Sequence, residues 1–230
     1  ILIFLFFIYL LTFRGNYESF DNIIPKLIIL LSIIISLKSF YVLYFIFIIP
    51  FIFYIIKDGK INLINKIFKS PIFYFSILMG ICVVLVYFFN TGCLLYPVQQ
   101  TCISGVEWGI PKSEVSAINT HYQWWSKAGG GPGYKSPIEK ELYIQNFDWL
   151  SNWIDRYFFN KMSDFLLSLS FVSVLFIMIF KSKKKKLHYE NFKNNLLYYF
   201  LIALLLAEWF FNHPSLRYGG YIIFSLIFFI

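Results

Sequence analysis

Arg217 stands in HPSLRYGG (213–220), where its planar guanidinium can hold two phosphate oxygens at once, a geometry a lysine cannot copy. Glu208 upstream offers the same charge another use, an internal ion pair, and His213 in the turn reads equally as solvated or catalytic. Lys38, alone between two apolar segments, can snorkel to water or meet an anionic headgroup or lipid phosphate. Asp148 and Asp155 lie in FDWLSNWIDRYF (147–158) and, with Glu107 of EWGIP (107–111), are carboxylates able to assist a reacting hydroxyl. Trp108, Trp124, Trp125, Trp149 and Trp153 place five of the six tryptophans in the same stretch. They suit an anchoring belt at a membrane interface, or platforms for sugar rings or an isoprenoid chain.

Cys93 and Cys102 enclose eight residues. In an oxidising compartment they are expected to be bonded, closing a loop with a contribution of roughly 2–3 kcal/mol; two unpaired thiols are the alternative. A metal site fits less well, because the spacing is not C-x-x-C and His121 stands alone. No cofactor is indicated, and a divalent cation, though open, has no signature here. Gly129 to Gly133, followed by Lys135 and Ser136, resembles a phosphate loop only superficially: Tyr134 occupies the position before the lysine that the motif reserves for glycine. A flexible tip that could serve as a lid is the simpler expectation.

Of the 230 residues, 59% are apolar and 14% charged, against about 45–50% and about 25% in soluble domains. That composition excludes a soluble globular domain, and its aromatic richness excludes disorder. Apolar runs at 1–13, 23–37, 40–56, 71–89, 165–180, 196–211 and 220–230 predict an all-α membrane protein, a bundle of about seven transmembrane segments with the first and last truncated. Both ends fall inside apolar runs, which predicts a fragment of a longer protein. The pair 23–56 reads either as two spans or as a re-entrant pair. Cys82, inside a run, is expected to be a small buried apolar residue.

Charge sets the orientation. The loop 57–69 carries a net +3 and the loop 181–193 a net +5, which together equal the +8 of the whole chain, while 90–163 holds six bases and six acids. Basic short loops remain cytoplasmic, so 90–163 and the turn 212–219 are expected to face outward together. The organisation expected is therefore 1–89 in the membrane, 90–163 outside and 164–230 in the membrane. Lys183 to Lys186 suit anionic headgroups; no groove-reading motif accompanies them, so nucleic acid is not a partner. Within 146–159, Phe147, Leu150, Ile154 and Tyr157 recur at helical spacing, which predicts a short amphipathic helix lying along the interface.

Several of these residues carry a resemblance. Thr91-Gly92 after a span, Tyr96-Pro97, then Glu107-Trp108-Gly109-Ile110-Pro111, Trp124-Trp125 and finally His213-Pro214-Ser215-Leu216-Arg217-Tyr218-Gly219 resemble a group of bacterial multi-pass envelope proteins. That group is similar to the GT-C type glycosyltransferases, which take sugar from a polyprenyl-phosphate donor outside the membrane. The resemblance implies a bacterial inner (plasma) membrane location, the lipid bilayer and a polyprenyl-phosphate-linked sugar as partners, and transfer in surface polysaccharide or glycolipid assembly. It puts the catalytic carboxylate in a first outward loop that this chain does not contain, so only Arg217, in P-x-x-R-[FY]-G, carries over position for position. A polysaccharide polymerase or ligase is the neighbouring enzyme class. A multi-pass transporter is the rival class and would place ionisable groups deep in several spans; a non-enzymatic envelope subunit is the third.

Overall fold

The structure, a computed structural model, describes residues 20–57, 61–131, 136–180 and 189–229. The expectations for 1–13, for the tetralysine 183–186 and for Gly133 with Lys135 concern residues outside this set. Every regular element among the described residues is helical; the one extended pairing is an isolated bridge between Cys93 and Cys102. The chain forms two compact units, Ile1–Ile118 and Asn119–Ile230.

The first unit contains α1 (Phe20–Leu37), a 3-10 helix (Ser39–Ile48), α2 (Ile49–Lys57), α3 (Ile61–Lys69), α4 (Pro71–Thr91) and the start of α5 (Lys112–Lys127). Ile24, Leu27, Leu31, Ile34 and Ile35 form one buried stripe on α1, at the spacing that brings side chains onto a single helix face. α1 packs against the 3-10 helix, α3 and α4. Gly80 of α4 faces Ser32 of α1, where a methyl would meet Ser32 Oγ at 3.6 Å, an ordinary van der Waals contact. The Tyr87 hydroxyl then donates to the Ile35 carbonyl across the pair at 2.6 Å.

Most of the α4 surface remains uncovered. Tyr74, Phe75, Leu78, Ile81, Val86 and Phe89 are exposed, and only 11% of its most apolar window is buried. Its 21 residues would reach about 31 Å at 1.5 Å each, close to the hydrocarbon thickness of a bilayer. The helix Trp149–Leu175 is the second one long and apolar enough to cross a membrane. Cys82, expected to be buried, is exposed on this apolar surface of α4, because its helix buries little more than Ser76.

α4 stops at Gly92, whose left-handed φ of 74° caps it while its N–H reaches Phe88 O at 2.7 Å. The following loop folds back on itself through Ile103 N–H to Gly92 O and Ile110 N–H to Thr91 O, each 2.9 Å. Cys93 and Cys102 are disulfide-bonded, as their spacing led us to expect, and bury against Val115 of α5 with Tyr96 and Ile110 around them.

The second unit holds the end of α5, then α6 (Lys140–Gln145), α7 (Trp149–Trp153), a π-helical stretch (Ile154–Met162), α8 (Ser163–Phe180), α9 (Tyr189–Asn212) and α10 (Leu216–Phe229). Two local expectations are corrected here. The stretch 90–163 is more helical than foreseen, because Val115, Ile118, Tyr122 and Trp125 form a helix-spaced series hidden among polar residues of α5. The amphipathic helix at 146–159 is not a separate element either: α7, the π stretch and α8 run on without a break. Its buried face is Trp149, Trp153 and Tyr157, spaced by four, whereas Phe147 is exposed. That face is inward because Trp149 and Trp153 both pack against Phe210 of α9. From Trp149 to Phe180 the run would extend about 48 Å, so it is too long for a bilayer core unless one end stands in the headgroups or beyond.

The contact at Gly92 generates a test. A Cβ there would lie 2.8 Å from the Gly109 Cα, in a left-handed backbone that side chains avoid. Gly92→Ala should therefore destabilise the detergent-solubilised chain by at least about 1–2 kcal/mol, read as a lowered Tm. An unchanged Tm would show that the two backbones are not in contact.

Candidate functional site

The turn between α9 and α10 is held by three side chains from two helices. Trp153 Nε1 donates to Pro214 O at 2.6 Å and Trp209 Nε1 to Ser215 O at 2.8 Å. The Tyr157 hydroxyl accepts the Leu216 N–H at 2.6 Å. The Tyr157 bond satisfies the Leu216 N–H that the start of α10 leaves over, the two indole bonds take up the Pro214 and Ser215 carbonyls, and together they hold Pro214 and Ser215 in the interior. The Trp209 ring also lies directly against Gly219, where any side chain would collide with it.

The π stretch explains how Tyr157 arrives there. Widening the helix breaks the regular i to i−4 pattern, and Asn160 Nδ2 compensates by donating to both the Asp155 and Arg156 carbonyls at 3.1 Å. Such stretches are rare and concentrate at functional sites. Tyr157 is thereby turned inward, with the Lys161 Nζ 5.6 Å from its ring centre. Gly130, just after α5, comes so close that a methyl on it would meet the Tyr157 ring at 3.1 Å.

Around this frame gather the groups with chemistry. Arg217 is exposed in the first turn of α10, its guanidinium 5.9 Å from the centre of the Trp125 ring. Trp125 meets Tyr218 edge-on at 6.4 Å, and Tyr218 meets His213 at 5.2 Å. Lys127, only 4% exposed, donates from Nζ to Ile144 O at 2.7 Å and lies 5.3 Å from the Trp149 ring centre. Burial lowers its pKa. His213 is pushed down to about 4, first by burial and then by the Lys127 charge, so it is neutral at physiological pH.

Of Arg217, Lys38, Glu107, Trp108, Asp148 and Asp155, the binding candidates of the sequence, Arg217 belongs to this cluster. Asp148 and Asp155 belong to the same unit but point to its exterior. Lys38, Glu107 and Trp108 belong to the first unit. There Lys38 closes the hairpin between α1 and the 3-10 helix through Lys38 N–H to Ile34 O and Tyr41 N–H to Lys38 O. Glu107 is exposed, and Trp108, also exposed, meets Phe88 edge-on at 6.1 Å. The anticipated Glu208–Arg217 ion pair does not form. Glu208 Oε1 instead accepts from Asn212 Nδ2 at 3.1 Å, and Oε2 is buried without a hydrogen-bond partner. Arg217 has its guanidinium over the Trp125 ring. No group of three or more His, Cys, Asp or Glu able to hold a metal occurs among the described residues.

The sequence gives no role to Lys127 or Trp209, includes Ser215 only as part of the motif 213–219, and reads Tyr157 only as one residue of an amphipathic face. Trp153, noted as one aromatic among five, proves to be a hydrogen-bond donor to the turn. For Trp209 a signal exists: a lone tryptophan one turn before a helix end, ten residues ahead of a glycine.

Residues 1–224 match the family described as Domain of unknown function (DUF8201). The chain belongs to the DUF8201 family. No curated protein and no solved structure matches it. For this DUF8201 chain, functional meaning must come from the geometry of its own residues, and the turn 213–219 is where cations, aromatic rings and a helix start converge.

The neutral His213 has a measurable consequence. Its folded pKa of about 4 lies below the unfolded value of 6.5, so below pH 6.5 the unfolded chain takes up a proton that the folded chain refuses. Stability present above pH 6.5 should fall as the pH drops toward 4. We expect Tm to fall by roughly 5 °C between pH 6.5 and 4.5, and His213→Gln to remove most of that decline. An equal decline in His213→Gln would place its cause elsewhere.

Proposed function

We propose that this chain is a multi-pass protein of the bacterial inner (plasma) membrane that binds a polyprenyl-phosphate-linked sugar on the outer side and takes part in glycosyl transfer for surface polysaccharide or glycolipid assembly. Four features support the membrane part. Two helices have the length and apolarity to cross a bilayer. The surface of α4 is apolar on nearly all sides, which water would not tolerate. Three shorter apolar helices, Ile24–Leu37, Ser39–Ile48 and Leu196–Asn212, supply further candidates for the bundle. The basic excess is confined to two loops and the stretch 90–163 is neutral, which favours that stretch as the outward one.

The observation that carries the ligand part is the fixed turn with Arg217 at its edge. Trp153, Trp209 and Tyr157 hold Pro214 to Leu216 in place, so Arg217 is presented on a rigid base at the start of a helix. A helix start carries positive partial charge, and an exposed guanidinium beside it is suited to a phosphate at headgroup depth. Trp125 beneath the guanidinium and Tyr218 beside it provide apolar surface of the kind that sugar or isoprenoid carbons pack against. In transfer, Arg217 would stabilise the charge developing on the departing phosphate.

The experiment compares Arg217→Lys, Arg217→Ala and Glu208→Gln in lipid nanodiscs, reading transfer from a polyprenyl-phosphate sugar and thermal stability together. Losing a charge-assisted bond worth about 1.5–3 kcal/mol should reduce transfer by Arg217→Ala roughly 10- to 100-fold, with Arg217→Lys intermediate and Tm nearly unchanged. Glu208→Gln should leave Tm and transfer near those of the unaltered chain, because no ion pair is lost. Full transfer by Arg217→Ala would overturn the phosphate role.

A further inference from the structure

Among the described residues Lys127 is a buried cation without a counter-charge. Its Nζ has one acceptor, the Ile144 carbonyl, and one ring face, Trp149, and no carboxylate among the described residues pairs with it. A lysine ammonium has three donors, so two remain to be used in an interior where an unpaired charge is costly. The turn 213–219 contains a second incomplete group. Ser215 is 1% exposed and its Oγ has no hydrogen-bond partner among the described residues, although its backbone carbonyl is bound by Trp209, Tyr218 and Gly219.

The two groups are brought together from both directions of the chain. Three residues beyond Lys127, a methyl on Gly130 would lie 3.7 Å from the Ser215 Cβ. Two residues before Ser215, His213 is close enough to feel the Lys127 charge. Ser215 also directly precedes α10, a helix of 14 residues whose start favours anions. Ammonium donors, a hydroxyl and a helix start on these neighbouring segments are complementary in charge and hydrogen-bonding capacity to a tetrahedral oxyanion.

We propose that Lys127 and Ser215 form the inner half of a phosphoryl-binding site whose outer half is Arg217. The proposal deepens the lipid-phosphate reading of Arg217 and rests on it for the identity of the ligand, although the inner half stands on its own residues. The ligand is a phosphoryl group, carried either by a polyprenyl lipid or by a soluble phosphate. Entry requires the turn Ala128–Gly131 to lift from Tyr157 and Ser215, and Gly129 and Gly130, with φ of 108° and 60°, are its natural hinge. Lys127 is then retained for the ligand at the expense of the empty fold, the pattern expected where function and stability conflict.

The test uses the full chain purified in detergent and two probes, inorganic phosphate and a C55 polyprenyl phosphate, with ligand-induced Tm shift and titrated tryptophan fluorescence as readouts. Lys127→Met keeps the length of the side chain and removes the charge. It should have an unliganded Tm equal to or above that of the unaltered chain and bind polyprenyl phosphate at least about 10-fold more weakly. Ser215→Ala should keep its unliganded Tm and weaken binding roughly 3- to 10-fold. A Lys127→Met protein with lowered Tm and undiminished affinity would overturn the proposal, making Lys127 a prop for the Ile144 carbonyl. If Lys127→Met does not fold, Ser215→Ala decides: undiminished affinity overturns the proposal and weakened affinity upholds it. Binding lost in Arg217→Ala but kept in both inner variants sinks the inner half and spares the lipid reading. Inorganic phosphate bound with the same Lys127 dependence, and polyprenyl phosphate not bound, upholds the inner half and removes the lipid. Binding of neither probe overturns both.

Discussion

Three side chains hooked onto the backbone of Pro214, Ser215 and Leu216 are the constraint on which the second unit depends. Trp153 and Tyr157 reach that turn across 61 and 59 residues of sequence, tying the π stretch to the junction of α9 and α10. Trp209 closes the same turn locally while its ring lies on Gly219, so α10 can leave the turn in only one direction. Trp153 and Tyr157 satisfy the Pro214 carbonyl and the Leu216 N–H, where a buried unpaired group costs about 1–3 kcal/mol apiece, and Trp209 adds a third donor to the Ser215 carbonyl that Tyr218 and Gly219 also bind. What they achieve is positional: Arg217, His213 and Ser215 are held at fixed places on a connection that short polar turns ordinarily leave mobile.

The first unit solves a different problem. α1 buries one stripe against its neighbours, whereas α4 leaves most of its apolar surface uncovered. A helix apolar on all sides belongs in the core of a large protein or in lipid. Above α4 the chain changes character at once: Gly92 ends the helix, and the disulfide, the Gly92–Gly109 contact and the bonds from Ile103 and Ile110 fold the next twenty residues into a compact knot. That abrupt change from bare apolar helix to cross-linked loop is the form expected where a chain leaves a hydrocarbon layer for an oxidising aqueous one.

What could be read from the sequence follows from how local each signal is. The runs at 71–89 and 165–180 are legible because an apolar helix announces itself residue by residue, and the structure has helices at both. The Cys93–Cys102 bond is legible because two cysteines in one short loop have few other options. The register of 146–159 is not: Phe147, Leu150, Ile154, Tyr157 and Trp149, Trp153, Tyr157 both satisfy helical spacing, and only the tertiary partners Phe210 and Pro214 choose the second. Lys127 is invisible for a related reason. It is one of six balanced bases in 90–163, and its burial arises from Ile144 and Trp149, which no periodicity connects to it. The Glu208–Arg217 pair was plausible from proximity, yet Asn212, four residues along the same helix, is a nearer partner for the carboxylate.

The proposed phosphate site requires that the stretch containing α5, α6 and the π helix faces the outside while the lysine loops face the cytoplasm. The direct measurement is cysteine accessibility in intact cells, in a Cys82→Ala background that leaves the Cys93–Cys102 bond intact, with single cysteines placed by Ser136→Cys and Ser182→Cys. A membrane-impermeant maleimide should label the protein at position 136 in intact cells and at position 182 only after permeabilisation. Labelling at 182 but not at 136 from outside would invert the topology and contradict the assignment of an outward phosphate site.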